Sequence, residues 1–311
     1  MKDATLFRHA FLTATLVGIL ARVVMIRVVN KQYPSRPQDY VEQLTLSIIA
    51  SSLGAIAFPA LIDKEYAALT FLAVAVQQFQ QVAEQERLTL QNVDNTDLVS
   101  RGSMYIEEIS RTYEVRSHLS VFSALSASIT FIGLRLYMDI SLWPTVIWSF
   151  VAGGITAFIF RKVLRRGSIE DIAEIIPATI SFDGPLLKVN EVVISNIGLD
   201  SSKKRYLEKG LAIEIKPNDS VASGILNDLG QRQAIIQNMY VHLGLDRDVD
   251  EPDFIPIARR SSKNDSIVIP FIPLVKDMDE LIKAAKSAPI LEQAKGKNQA
   301  YSKDEILTQG K

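Results

Sequence analysis

Long apolar runs separated by short polar breaks fill the first half of the chain, and the pattern stops at Arg161. There Arg161-Lys162-Val163-Leu164-Arg165-Arg166 follows directly on an apolar segment, and the remaining residues read as an ordinary soluble domain. A cationic cluster against the end of an apolar helix marks the cytoplasmic end of a membrane span. The first run covers about Leu6 to Val29, with Arg8 and His9 at its start and Arg22 and Arg27 near its end. A cleaved signal peptide competes for this run, but Arg22 interrupts the place of a clean cleavage site. As part of a span, Arg22 is expected to snorkel to the interface. The second run, Gln43 to Ile62, is uncharged and has the length a bilayer demands, with Gly54 and Pro59 inside it. The fourth and fifth runs, about Leu119 to Met138 and Ser141 to Phe160, form a tight hairpin. Ser123 with Ala127, and Gly153 with Ala157, stand at the spacing that lets helices approach closely.

The third run decides the topology. Tyr66 to Val76 is apolar but short, and continues as Gln77-Gln78-Phe79-Gln80-Gln81. It reads as a fifth span or as a re-entrant or interfacial segment. The glutamines line a polar cavity or bond across helices, unless the helix has already left the bilayer there. With five spans, Arg22, Arg87, Arg111, Arg116 and the cluster at Arg161 all fall on the cytoplasmic side, and Lys2, Arg8, Lys64 and Arg135 lie outside. With four, the cluster from Arg22 to Arg36 moves outside. The positive-inside rule therefore favours five spans with the N-terminus out. The expected organisation is a helical membrane domain over 1-166, with a cytoplasmic connection over 81-117. A cytoplasmic α/β or α+β domain over 167-294 and a disordered tail over 295-311 follow. Within the connection, Ser103 to Arg116 reads as an amphipathic helix that runs into the fourth span.

In the soluble half, Ala173 to Ile180, Leu186 to Ile197, Leu211 to Ile215 and Ser266 to Ile272 read as strands. Asp219 or Ser220 caps a helix to about Leu229, Gly230 marks a break, and Gln231 to Leu243 continues to a Gly244 cap. Asp277 or Asp279 opens a last helix through about Ala288.

Composition narrows the chemistry. A net charge of -1 argues against a polyanion binder, so no nucleic acid is expected as a partner. The absence of cysteine removes disulfides, thiolate catalysis and cysteine metal sites, and the three histidines lie far apart in sequence. No phosphate-binding glycine loop, zinc-protease motif or nucleophile elbow occurs, and no carboxylate lies within a span. No cofactor and no metal is expected. The acidic run Asp246, Asp248, Asp250, Glu251, Asp253 resembles the start of a calcium loop but carries Glu251 where the turn needs glycine. A solvated, charge-balanced loop is the plainer reading. Gly230-Gln231-Arg232-Gln233 offers a guanidinium and two amides for a carboxylate, a phosphate or a backbone, or is simply an exposed helix face.

Several strings occur in a telling order. They are Gln32-Tyr33-Pro34, Leu53-Gly54-Ala55-Ile56-Ala57, Pro59-Ala60-Leu61, Gln77-Gln78-Phe79, Glu86-Arg87, Arg101-Gly102-Ser103, Tyr105-Ile106-Glu107, Gly230-Gln231-Arg232-Gln233-Ala234-Ile235 and Ile290-Leu291-Glu292. Together they resemble the YIEGIA family of membrane proteins from spore-forming Firmicutes. The family's six-residue motif reads Tyr105-Ile106-Glu107-Glu108-Ile109-Ser110 here, with Glu108 for glycine and Ser110 for alanine. A glycine there permits a tight bend or close packing, and glutamate cannot do the second as well. The resemblance implies a multi-pass bacterial cell-membrane protein tied to sporulation or germination, working with a small protein partner or as a homo-oligomer. It supplies no catalytic residue. The leading expectation is a membrane scaffold or regulatory subunit that recruits a partner through its cytoplasmic domain. Its partner-binding or structural residues would be Tyr105, Ile106, Glu107, Gln231, Arg232 and Gln233. A membrane-tethered hydrolase, with Ser181 and Asp183 brought near Arg232, is one alternative. A small-molecule permease is another.

Overall fold

The computed structural model describes residues 2–29, 37–163 and 167–296. They fall into two compact units. One comprises 1–88 with 109–165, and the other 89–108 with 166–311.

The first unit is an up-and-down bundle of α1 (Lys2–Val29), α2 (Pro37–Ile62), most of α3 (Tyr66–Asp94), most of α4 (Ser103–Tyr137) and α5 (Leu142–Val163). The contacts fix the directions. Along α1, Arg22, then Ala14 and Val17, then Ala10 meet Ser117, Ala124 with Ala127, and Phe131 of α4 in turn. The two helices are therefore antiparallel. Along α2, Gln43, Ala50 and Ala55 lie level with Arg22, Phe79 and Ser128. After the turn at 63–65, with Lys64 at φ 55, α3 returns alongside α2, and Phe79 packs on Ala50 and Val121. Thus α1, α3 and α5 run one way and α2 and α4 the other. Four of the helices are long and apolar enough to cross a membrane: Thr5–Val24, Tyr40–Ile62, Ser103–Tyr137 and Leu142–Lys162.

The bundle's burial pattern is the reverse of a soluble protein's. Ser47, Ser51, Ser120, Ser123, Ser128 and Ser149 are buried, whereas Leu12, Leu16, Ile147, Trp148 and Phe158 are exposed. In hydrocarbon, helices associate through close backbone approach and internal hydrogen bonds rather than by burying leucine. The glycines show how close. A Cβ on Gly54 would fall within 3.0 Å of the Val121 backbone, and one on Gly153 would fall 2.9 Å from the Ser123 carbonyl. Ser128 donates to the Ala55 carbonyl across the same contact, at 2.9 Å. Arg22 does not snorkel. It is wholly buried and donates to Ser117 (3.0 Å) and to Gln43 (2.9 Å), so one guanidinium ties α1, α2 and α4. The helix from Ser103 runs on without a break into the apolar run from Leu119, as a single α4.

The second unit is an α+β domain. Strands β1 (Ala173–Ala178), β5 (Leu211–Pro217), β7 (Ile267–Phe271) and β6 (Arg259–Arg260) make one sheet in the order β1-β5-β7-β6. Strands β2 (Ile180–Asp183), β3 (Leu186–Val189) and β4 (Val192–Asn196) make the other. All pairings are antiparallel. Ile213, Ile215, Ile267 and Ile269 face a core shared with α7 (Ser220–Asn227), α8 (Leu229–Leu243) and α9 (Met278–Lys286). Ala212 and Val268 face the opposite way, onto Leu187, Val189 and Ile194 of the smaller sheet and Tyr206 of α6 (Asp200–Lys209). Covering both faces explains why β5 and β7 are nearly unbroken apolar runs.

Several features differ from the sequence reading; Ala173 to Ile180 divides between β1 and the start of β2. Leu186 to Ile197 is not one strand but a hairpin, β3 and β4, turning through Asn190 at φ 53. The helix break falls at Asp228 rather than Gly230, because the Asp228 carboxylate caps α8 through the Gly230 and Gln231 amides. Helix α6 was not foreseen, since it is almost wholly polar and shows no apolar stripe. Lys295 still belongs to a helical turn hydrogen-bonded to Leu291, and the rest of the expected tail, 297–311, lies outside the described residues.

Candidate functional site

The N-terminal turns of α8 are where the unusual polar string meets the rest of the second unit. Gln231 is fully buried. Its amide donates to the Pro289 carbonyl at 2.9 Å and accepts from the Leu291 amide at 2.8 Å. One side chain thus reads a peptide in both directions and fixes the segment Ile290-Leu291-Glu292. Arg232 folds back on α7, donating to the Leu226 carbonyl (3.1 Å), the Asn227 carbonyl (3.0 Å) and the Asn227 side chain. Those are the orphan carbonyls of a helix end. Gln233 donates to the Ser100 carbonyl at 2.5 Å. The string grips the backbone of its own chain.

Gln233 brings in the connection between α3 and α4. A Cβ on Gly102 would stand 3.7 Å from that of Gln233, and Gly102 itself adopts φ +80, which favours glycine. The Asp94 carboxylate holds the turn by accepting from the Arg101 and Gly102 amides, while Asp97 pairs with the Arg101 guanidinium at 3.0 Å. Met104 rides over Gly230, where a Cβ would meet its side chain at 3.0 Å or less. Val99 is buried in the main core, with Met104 and Tyr105 packed against it. From the far side Arg247 donates to the Leu98 carbonyl at 3.1 Å and, through Nε, to the Glu251 carbonyl. Residues 89–108 are therefore an integral layer of the second unit. Three strings distant in sequence, Arg101-Gly102-Ser103, Gly230 to Gln233 and Ile290 to Glu292, converge on one helix end.

Of the motif, Tyr105, Ile106, Glu107 and Glu108 belong to the second unit, and Ile109 and Ser110 to the first. Ile106 is buried and Tyr105 half-buried against the core. Beside the connection lies a cleft of about 400 Å³, whose walls include Asp94, Asp97, Ser100, Gln233, Arg247 and Ile255. Arg247 there is bound only by carbonyl oxygens, and among the described residues no carboxylate lies within 4.0 Å of it. The cleft can take an acidic group beside an apolar wall. Sequence reasoning missed Arg247 and Ser100, because nothing local distinguishes them from other loop residues.

The other candidates are placed differently. Ser181 and Asp183 lie on β2. Asp183 is exposed and pairs with Lys188 across the hairpin, and that hydrogen bond holds its carboxyl below the usual range. Arg232 is engaged at the end of α7 instead. The acidic run is neutralised from α6. Arg205 reaches Asp246 at 2.9 Å and Glu251 at 2.8 Å and lies over the Phe254 ring, while Lys209 reaches Asp246 at 2.7 Å. Hydrogen bonds from Lys209 and Arg205 hold the Asp246 carboxyl low. Among the described residues no histidine, aspartate or glutamate cluster is arranged to hold a metal. Gln77, Gln78, Gln80 and Gln81 are exposed, so they line no internal cavity, and Phe79 between them is the buried residue.

No solved structure matches the chain. A Bacillus subtilis (strain 168) protein, "Uncharacterized protein YphB", is 32% identical over 287 residues, which cover 92% of this chain and 93% of the relative. The YIEGIA protein model matches residues 10–301, the span that holds the bundle, the docked connection and the α+β domain, and the chain belongs to the YIEGIA family.

Proposed function

We propose that this chain is a non-catalytic scaffold or regulatory subunit of the bacterial cell membrane, serving a sporulation- or germination-stage complex. It crosses the bilayer five times, with the N-terminus outside and the α+β domain in the cytoplasm. The observation that carries the reading is the membership of residues 89–108 in the second unit. The domain is continuous in chain with α3, α4 and α5, so a partner bound to it acts on three bundle helices. The Arg247 cleft, walled partly by the connection itself, is the place where a partner's acidic group is received.

The alternation of helix directions supports five crossings. It gathers Arg22, Arg87, Arg111, Arg116, Arg161 and Lys162 toward one end of the bundle, and Arg8, Lys64 and Arg135 toward the other. That is the asymmetry of a cytoplasmic and an outer face. Phe79 packs on Ala50, near the middle of α2, so α3 returns at least that far alongside α2.

Purification of the full-length chain from sporulating cells in mild detergent is expected to bring a stoichiometric protein partner, and Arg247→Glu to lose it. Recovery of the chain alone contradicts the scaffold reading. For topology, a cysteine at Arg8 or Glu65 should react with an impermeant maleimide from outside, and one at Arg161 only after permeabilisation. Protection of Glu65→Cys in intact cells means four crossings.

A further inference from the structure

We infer that residues 95–100 are a flap, closed over α8 in this structure, and that the buried Gln237 beneath it sets how readily it opens. As a control on the Arg247 cleft this rests on the reading of that cleft as a partner's seat; the motion itself belongs to the second unit alone. Residues 95–102 form neither helix nor strand. The two ends of the loop are tied to each other, because the Asp94 carboxylate accepts from the Arg101 and Gly102 amides. Asp97 closes the same loop on the Arg101 guanidinium at 3.0 Å. A loop whose ends are joined in this way can lift as a unit without unwinding α3 or α4. It is held down by Gln233, which donates to the Ser100 carbonyl, by Arg247, which donates to the Leu98 carbonyl, and by Val99, which is buried between them.

At about 100° per residue, Gly230, Gln233 and Gln237 share one face of α8. Met104 covers the first, and Ser100 with Gly102 the second. Leu98 is held by Arg247 just beyond the helix end, so Gln237 lies under the loop at about the level of Val99. Gln237 is 1% exposed, yet among the described residues neither its amide oxygen nor its amide nitrogen has a hydrogen-bond partner. Its neighbours on α8 show the contrast. Gln231 bonds a peptide in both directions, and Asn238 reaches the Ala284 carbonyl and the Ser287 hydroxyl. An amide carries two donors and an acceptor, and burying it unpaired penalises the closed loop, while opening lets water satisfy it. Closure is therefore weaker than Val99 and the two carbonyl bonds alone would make it. The loop also supplies Asn95, Asp97, Leu98 and Ser100 to the cleft that Arg247 and Ile255 line from the rest of the unit. Opening takes the cleft apart, so an acidic group bound at Arg247 in the closed form draws the loop shut.

The chain has no cysteine, so a thiol in place of the buried Val99 reports opening without background. In the full-length protein in mild detergent, with no partner added, Val99→Cys should react with a maleimide at a rate that low urea barely changes, which marks local rather than global opening. Adding Gln237→Met, which keeps the unbranched shape and removes both polar atoms, should slow the labelling about tenfold, the size of one relieved buried polar group. Gln237→Leu should act in the same direction, and Gln233→Met, which removes the Ser100 bond, should speed the labelling. Labelling as fast or faster in both Gln237 variants overturns the inference. Labelling that appears only where urea unfolds the whole domain overturns it too. Either failure leaves the scaffold reading standing. A purified chain that brings no partner, with the labelling pattern as expected, overturns the scaffold reading and supports the flap.

Discussion

Gly54 offers a sharp test of how the bundle is held. A methyl group there would lie within 3.0 Å of the Val121 α-carbon and carbonyl carbon, and closer still to its oxygen. Even favourable carbon–oxygen approaches are about 3.3–3.6 Å, so Gly54→Ala forces α2 and α4 apart by roughly 1 Å. Both groups are backbone, so no rotamer change relieves the clash. Overpacking of this kind costs about 1–3 kcal/mol. Separation also stretches the Ser128 to Ala55 hydrogen bond, worth about 0.6–1.7 kcal/mol between membrane helices. The sum, about 2–5 kcal/mol, should lower the melting temperature by roughly 4–20 °C. The only tryptophans, Trp143 and Trp148, both lie on α5, so their fluorescence during thermal unfolding in mild detergent reports the bundle specifically. Gly133→Ala is the control, because a Cβ there meets nothing within 4 Å. It should leave the melting temperature unchanged or raise it slightly through helix propensity. A Gly54→Ala bundle that melts with or above the wild type refutes the close-approach account.

Three further outcomes follow from the same geometry. Glu214 is buried between the two sheets and accepts from Asn190 (2.8 Å), Asn264 (3.0 Å) and Ser266 (2.7 Å). Burial pushes its carboxyl up, but these bonds and Lys216 more than offset that and hold it below its usual value. Its contribution is then complete above the unfolded value of about 4.3 and is lost as pH falls through the lower folded value. Urea unfolding followed by hydrogen exchange in β5 and β7 should show stability falling faster below about pH 4.3 in the wild type than in Glu214→Gln; parallel curves contradict the clamp. Arg22→Ala should cost the bundle about 2–4 kcal/mol, by the lost packing and two hydrogen bonds. Arg22→Lys should not restore it, since an ammonium lacks the planar fork that reaches Ser117 and Gln43 together; full rescue by lysine contradicts this. Gly230→Ala should raise hydrogen exchange over residues 98–105 by pushing on Met104, and adding Met104→Ala should bring it back. An exchange pattern indifferent to both changes argues against the docking.

Much of the architecture was legible in the chain because it rests on run length and local caps. Apolar stretches of bilayer length, the Gly244 cap and the strands at Leu211 and Ile267 are local signals, and each stands where the pattern placed it. What escaped depended on partners distant in sequence. Helix α6 carries its meaning in Arg205 and Lys209, which neutralise Asp246 and Glu251 some forty residues away. Arg22 looked like a residue bound for the interface. It is instead a three-helix tie, because Gln43 and Ser117 arrive at its level from two other helices. Gln231 and Gln233 stood out as an unusual polar string. Their roles appeared only once the segment at 289–291 and the connection at 98–105 were placed against α8, and no spacing rule relates those three stretches.

The central claim is that the connection between α3 and α4 is held on the α+β domain, and a disulfide tests it most directly. The Cβ positions of residues 102 and 233 are 3.7 Å apart, close to the mean of about 3.8 Å in disulfides. In this cysteine-free chain, Gly102→Cys with Gln233→Cys should crosslink spontaneously in native membranes, despite the positive φ at residue 102. Gly184→Cys with Gln233→Cys should not. Two free thiols at 102 and 233 in a folded protein would contradict the docking, and the scaffold reading with it.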